Sequence, residues 1–181
     1  MKQLKIITAS FLALLLFTFS QCKKKTEEPR LPPETTTGAM TFGCKVNGKV
    51  FVPKDGRGRP GLFVQYVNLG TGPRGGWYLN ISTYDYSAKK GIHIETDSLL
   101  LAEGVTYNFK KEKGYPLIFY EEVVNGTTEI YGKQIYDTGS LYITKHDQIN
   151  RVLSGTFFFT GTKISDGQKV NVTDGRFDLR Y

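Results

Sequence analysis

The sequence predicts an all-β domain, an antiparallel sandwich or barrel of about ten strands. Short segments alternate apolar and β-prone polar residues, most clearly at 77–84, and this period of two is typical of half-buried strands. Asn47-Gly48 and Asn125-Gly126 are tight-turn pairs between such segments. The connections are short, and only 98–103 offers a helical alternative. Strands without intervening helices favour antiparallel meanders.

The strands follow one another along a single domain that we assign to residues 42–181. The first hairpin turns at Asn47-Gly48, and Pro53 ends its second strand because proline lacks the N–H that a ladder needs. Asp174-Gly175 is a turn or a bulge within one longer final strand. The predicted strands are 42–46, 49–52, 62–69, 77–84, 92–95, 105–109, 117–124, 129–136, 140–145, 152–164, 169–173 and 176–181.

The composition can fill a hydrophobic core. Hydrophobic residues make up 39% of the chain, which excludes wholesale disorder. Two cysteines are too few for a disulfide-rich scaffold, and no paired C-x-x-C motif for zinc is present. The predicted core residues are Val50, Val64, Trp77, Leu79, Ile81, Ile92, Ile94, Leu141, Ile143, Phe157, Phe159 and Phe177.

Residues 1–21 have the pattern of an export signal. Lys2 and Lys5 precede an apolar run over 6–19. A bilayer-spanning helix needs roughly 20 apolar residues, so the run is short for a membrane span and suits a signal peptide.

Cys22 directly follows this segment. Phe19-Ser20-Gln21-Cys22 resembles the lipobox of bacterial lipoproteins, in which the cysteine receives a diacylglycerol and becomes the new N-terminus. The resemblance implies that Cys22 is the lipid-attachment residue and that the membrane is a partner through the N-terminal lipid. The alternative is an ordinary signal peptide. In that case Cys22 carries no lipid, and a disulfide between Cys22 and Cys44 becomes possible.

Residues 22–41 are predicted to be a flexible tether. Lys23-Lys24-Lys25 is followed by Pro29, Pro32 and Pro33, and nothing in the segment forms an apolar face. Such a segment lets a folded domain stand away from a bilayer.

Charge and motif patterns narrow the partners. The chain carries 24 basic and 17 acidic residues, a net charge of +7, without a long basic run in the domain. We therefore expect no nucleic-acid partner. Asp166 and Asp174 precede glycines as turn residues do, and the ligand spacing of a calcium loop is absent. We expect neither a metal site nor a cofactor.

Exposed aromatic and basic residues are the candidate ligand-binding groups. Alternation places tyrosines on the polar side of segment 77–84 or next to it, and arginines lie in the two glycine-rich loops at 55–61 and 70–76. Tyrosines on a β surface stack on sugar rings or anchor proteins, or they pack across neighbouring strands. The candidate residues are Tyr78, Tyr84, Tyr86, Arg57, Arg59 and Arg74.

No pattern favours catalysis. Cys44 lies within a predicted strand, where a small buried residue is the simpler interpretation than a nucleophile. His93 and His146 belong to no ligand pair or catalytic motif. We therefore expect that the protein is not an enzyme.

Three segments of the sequence resemble a known protein family. They are TFGCKVNGKV at 41–50, LSGTFFF at 153–159 and VTDGRFD at 172–178. Together they resemble uncharacterised Bacteroidota lipoproteins with a β-rich domain of unknown function. The resemblance implies a lipid-anchored place in the cell envelope, at the outer membrane and facing the periplasm or the surface. It transfers no catalytic residue.

These observations favour a non-enzymatic binding module for an envelope protein or a glycan. The alternatives are a structural or accessory subunit of an envelope complex and a hydrolase. A binding module predicts a flat aromatic patch outside the core. An accessory subunit predicts an exposed apolar patch or an open sheet edge, and a hydrolase predicts a deep cleft with converging polar groups.

Overall fold

The computed structural model describes residues 29–132 and 136–181. The all-β prediction is confirmed: these residues form eleven strands in two antiparallel sheets and contain no helix. The two sheets share one core, as in a sandwich. The strands are β1 (Thr41–Val46), β2 (Lys49–Phe51), β3 (Leu62–Asn68), β4 (Trp77–Asp85), β5 (Lys90–Thr96), β6 (Thr106–Asn108), β7 (Pro116–Val124), β8 (Thr127–Tyr131), β9 (Tyr136–Asp147), β10 (Val152–Thr162) and β11 (Lys169–Arg180).

The two sheets differ in width. The first sheet has six strands in the order β2-β1-β11-β10-β9-β6. The second sheet has five strands in the order β3-β4-β5-β7-β8. Neighbours in sequence mostly pair with each other, which is the meander arrangement that short connections favour. β3 therefore ends one side of the narrower sheet.

The turn chemistry of the sequence is confirmed. Asn47 and Gly48 have φ of 48° and 79°, and Asn125 and Gly126 have 51° and 84°. Both central positions of a two-residue hairpin turn need positive φ, which asparagine and glycine adopt readily. The last strand is continuous from Lys169 to Arg180, so the bulge was the correct alternative at Asp174, whose φ is 53°.

The predicted core is largely confirmed. Of the twelve residues predicted to lie inside, all are buried except Val50, Val64 and Trp77, which are half-buried. Val50 lies on the three-residue edge strand β2. Val64 and Trp77 lie at the β3 side of the second sheet, where no described strand covers them. The segment 98–103 is irregular rather than helical.

Part of the predicted tether belongs to the domain. Asp178 is 1% exposed, and its carboxylate accepts the hydroxyl of Thr35 at 2.6 Å and the backbone N–H groups of Thr37, Gly38 and Ala39 at 3.0, 2.7 and 3.1 Å. These bonds hold residues 35–39, which belong to the segment predicted to be a tether, against β11. A buried carboxylate needs such donors, and they come from the chain that precedes β1.

Other predictions concern the start of the chain. The signal peptide at 1–21 and the lipid-attachment residue Cys22 lie outside the described residues. Within the described ranges, no helix has the length and apolar character required to cross a bilayer.

Candidate binding site at the edge of the second sheet

β3 is an unprotected edge strand. It is seven residues long, carries neither charge nor proline, and pairs with β4 in an unbroken register. Natural proteins protect exposed edges with charges, prolines, bulges or very short strands, because free edges recruit other strands. Among the described strands, the other edges show this protection: β2 and β6 have three residues each, and β8 carries Glu129, 3.4 Å from Lys163.

Two hydrogen bonds outside β3 fix the pattern of its ladder. The N–H of Leu69 donates to the carbonyl of Gly76 at 2.9 Å, and the N–H of Tyr84 donates to the carbonyl of Gly61 at 2.7 Å. Both pairs continue the register of β3 and β4. In an antiparallel ladder, hydrogen-bonded pairs recur at every second residue.

The free edge therefore has a defined set of polar groups. The residues whose backbone bonds to β4 are Phe63, Gln65 and Val67. The residues that direct their N–H and C=O groups away from β4 are Leu62, Val64 and Tyr66. No described strand pairs with this side of β3. An incoming strand would find alternating donors and acceptors there.

A cleft of about 410 Å³ lies beneath β3; we call it the aromatic cleft. The Tyr66 ring stacks on Trp77 with centroids 4.9 Å apart and meets the edge of Tyr181 at 5.3 Å. Large rings of this kind give apolar contact area with a polar handle, as binding sites require. The residues that line the cleft are Val64, Gln65, Tyr66, Val67, Trp77, Gln148, Arg151 and Tyr181.

Hydrogen bonds hold Tyr66 at the back of the aromatic cleft. Its hydroxyl donates to the carbonyl of Leu99 at 3.2 Å and accepts the N–H of Leu101 at 2.9 Å. Burial raises the pKa of Tyr66 to about 12. The phenol therefore stays neutral and fixes the irregular segment that follows β5.

His146 positions Tyr181. The carbonyl of Leu101 can only accept, so Nδ1 of His146, 2.8 Å away, carries the proton. In the neutral ring, Nε2 then accepts the hydroxyl of Tyr181 at 3.1 Å. The histidine thus orients one wall of the cleft, which is a supporting role.

A second cleft, of about 360 Å³, lies at the other end of β3. It separates Leu62 from Pro32 and Met40 of the segment that precedes β1. β3 thus has a recess at each end. We call β3 with its two clefts the open flank.

Arginines surround the open flank. Arg30 and Arg151 line the two clefts, Arg57 and Arg59 lie in the loop before β3, and Arg74 lies in the loop after it. Within the described parts of the chain, none of them forms a salt bridge.

Two nearby carboxylates are engaged in turns, and a third, that of Asp97, lies beside Tyr78. Asp55 accepts the N–H of Gly61 at 2.7 Å. Asp147 accepts the N–H groups of Ile149 and Asn150, and these bonds, with that of Asn150 foremost, lower the pKa of Asp147. Hydrogen bonds from neutral N–H groups do not cancel the charge of a carboxylate, but the five arginines outnumber Asp55, Asp97 and Asp147, so the net charge of these groups is positive.

The sequence-predicted site residues form two groups rather than one patch. Tyr84 and Tyr86 have ring centroids 4.8 Å apart, and the Tyr86 ring lies on Gly56, where a Cβ would come within 2.7 Å of it. Gly56 and Arg59 close the tight turn that contains Arg57, so this turn contacts the Tyr86 ring through Gly56.

The other group lies at the opposite end of β4. The Tyr78 hydroxyl donates to the carbonyl of Arg74 at 2.9 Å. Six residues of strand separate Tyr78 from Tyr84, which is about 20 Å. Tyr78 and Arg74 therefore lie apart from the Tyr84–Tyr86 pair.

Cys44 and His93 have structural surroundings. Cys44 is buried on β1, as predicted, and burial raises the pKa of its thiol. His93 stacks on Phe119 with centroids 4.6 Å apart, and its Nε2 lies 3.1 Å from Glu121. This pair lies on the outer face of the second sheet. In the parts of the chain that the structure describes, no group of three His, Cys, Asp or Glu residues could hold a metal ion.

Sequence reasoning missed Trp77, Arg151 and Tyr181 as site residues. The alternation of side chains correctly predicts that Trp77 points toward the first sheet. No described strand covers Trp77 at this edge, so it lines a cleft. One signal was present in the sequence: Leu62–Asn68 contains no charge, whereas exposed edge strands usually carry one.

Comparisons of the chain with protein-family models, with curated proteins and with solved structures found no match.

Proposed function

We propose that this protein is a non-enzymatic binding module of the bacterial cell envelope that docks a partner protein at the open flank. The observation that supports this function is the combination of an unprotected β3 edge with the half-buried rings of Trp77 and Tyr181 that line the cleft beside it. Unpaired edges and exposed apolar recesses mark surfaces at which proteins associate. An accessory subunit of an envelope complex is one form of this function.

The placement of the reactive side chains supports a binding role over hydrolysis. The Cys44 thiol is fully buried and its pKa is raised by that burial. Both ring nitrogens of His146 have partners that orient Tyr181. His93 lies on a sheet face against Phe119 and Glu121. Each of these groups has a structural partner that accounts for its position.

The proposed anchor is a lipid on Cys22. The support is the apolar run that ends just before Cys22 and the resemblance to a lipobox. Two or more acyl chains give stable membrane attachment where one does not. Mass spectrometry of the mature N-terminal peptide should show acylated Cys22, and Cys22→Ser should release the protein from the membrane fraction. An unmodified terminus beyond Cys22 would refute the anchor.

Site-specific photo-crosslinking in the native envelope tests the docking site. We place a benzoyl-phenylalanine at Gln65 on β3 and, as a matched control, at Phe158, which is 48% exposed on the first sheet. We expect one dominant protein adduct from position 65, weakened by Trp77→Ala, and no such adduct from position 158. Equal adducts from both positions, or none from 65, would refute docking at the flank.

Glycan binding is a second candidate function. The half-buried pair Tyr84–Tyr86, next to Arg57 and Arg59, is the observation that favours it, because adjacent rings can stack on sugars. A glycan array should then give hits that the double variant Tyr84→Ser, Tyr86→Ser loses. An array without hits, or hits that survive the double variant, would remove this candidate.

A further inference from the structure

We infer that the occupant of the open flank is an extended segment of a partner protein that pairs with β3 as an added strand and carries acidic residues at both ends. This inference rests on the proposed function and specifies how the partner binds. Its support comes from the backbone of β3, the two clefts and the charges around them.

The backbone supports strand addition. Leu62, Val64 and Tyr66 direct their N–H and C=O groups to the open side of β3, and no described strand occupies it. Main-chain bonds to such an edge give affinity independently of side-chain sequence. The first sheet has six strands and the second has five, so an added strand would give both sheets equal width.

The clefts specify the inward side chains of the partner. Side chains alternate along a strand, so every second residue of an added strand would point toward the first sheet. There they would meet the aromatic cleft next to Trp77 and the second cleft next to Leu62. Apolar residues at these positions would cover the remaining exposed surface of Val64 and Trp77, which are half-buried.

The charges specify the ends of the partner segment. β3 has no charge, but Arg57 and Arg59 lie at its start, and Arg74 and Arg151 lie at its far end. A segment with an uncharged centre and acidic ends complements this distribution. Complementary charge mainly accelerates encounter and fixes register.

The same charges disfavour a second copy of this chain. Antiparallel pairing of two β3 strands would place Arg57 and Arg59 of one copy beside Arg74 and Arg151 of the other. Such like-charge contacts oppose association. A foreign acidic segment meets five arginines, which outnumber the acidic residues Asp55, Asp97 and Asp147 at the flank.

Designed peptides test this inference on the unaltered protein. The probe has paired glutamates at both ends and an alternating Val-Thr centre of the length of β3; its control has lysines in place of the glutamates. We expect the acidic peptide to bind at least about tenfold more tightly at low salt, with a difference that shrinks as salt screens the charges. Arg151→Gln should reduce that difference.

N-methylation of the peptide separates strand addition from other docking. Methyl groups on one alternate set of residues block the N–H groups that would face β3, and methyl groups on the other set block those that face solvent. We expect one set to weaken binding at least about tenfold and the other to have little effect, because only the first set removes N–H groups that bond to β3. Val64→Pro should weaken peptide binding as the first methylated set does, because it removes an N–H that faces the open side of β3. The substitution removes no bond to β4, since the N–H of Val64 does not bond to that strand.

Each outcome has a distinct meaning. Equal effects of the two methylated sets, or equal affinity for acidic and lysine-ended peptides, would overturn the inference. Sedimentation that shows a dimer, converted to monomer by Val64→Pro, would identify a second copy as the occupant and also overturn it. Crosslinks from position 65 would still support the proposed function in these cases, whereas their absence would refute that function.

Discussion

Asp178→Asn tests whether residues 35–39 are part of the folded domain. One carboxylate oxygen of Asp178 accepts the N–H of Gly38 and the hydroxyl of Ser154, both at 2.7 Å. The other accepts the N–H groups of Thr37 and Ala39. An asparagine has one acceptor oxygen, so its NH₂ group must face at least one backbone N–H in either orientation.

The expected loss follows from these contacts. A buried donor without a partner costs about 1–3 kcal/mol, and loss of the charge weakens the remaining bonds, so we expect Asp178→Asn to lower the free energy of unfolding by roughly 2–4 kcal/mol. Urea denaturation at pH 7 measures it. Ser154→Ala is the matched control, since it removes one hydroxyl donor and should cost about 1 kcal/mol. A loss below about 0.5 kcal/mol for Asp178→Asn, typical of surface positions, would refute the reasoning.

The loss of unfolding free energy in Asp178→Asn should also depend on pH. Burial raises the pKa of Asp178, but the hydrogen bonds from Thr35 and Ser154 and from the backbone outweigh it and hold the pKa well below its ordinary value. A lowered pKa contributes stability that is present above the ordinary carboxyl pKa of about 3.9 and is lost as the pH falls below it. The difference between the native protein and Asp178→Asn should therefore shrink below about pH 4, and a constant difference would contradict the account.

Three further predictions concern the core and the outer face. Cys44 is buried, so a thiol reagent at pH 8 should label it only as fast as the domain unfolds; faster labelling would contradict that burial. Ile81→Ala should lower the free energy of unfolding in urea by roughly 3–4 kcal/mol, whereas Phe63→Ala, at a site 47% exposed, should cost less than about 1 kcal/mol. Equal losses would contradict the assigned faces of the second sheet. Tyr84→Ser and Tyr86→Ser should leave crosslinking from position 65 on β3 unchanged, because these tyrosines do not line the aromatic cleft. Loss of the crosslink in either variant would indicate that the docking site lies elsewhere.

The sequence predicts local features of this fold well. Asn-Gly pairs identify hairpin turns because the required φ values depend on those two residues alone. Alternation identifies the inward side of β4, since side chains in a strand point to opposite faces. Ile81 and Leu79 are buried for this reason.

Features that depend on distant parts of the chain were not predicted. Alternation turns Trp77 inward but does not tell whether another strand covers it, because the order of strands in a sheet is a property of the whole domain. The partners of Asp178 lie about 140 positions earlier in the chain, and only the fold brings them together. The role of Tyr181 depends in the same way on His146 and Leu101, which come from different segments.

Hydrogen exchange at single amides of β3 tests the central claim most directly. In the free protein, the amides of Val64 and Tyr66 should exchange rapidly, while those of Phe63, Gln65 and Val67 should be protected by β4. Addition of the acidic peptide should protect Val64 and Tyr66 and leave the other three unchanged. Slow exchange at Val64 and Tyr66 before the peptide is added, or no added protection at saturation, would contradict an edge that is open to a partner strand.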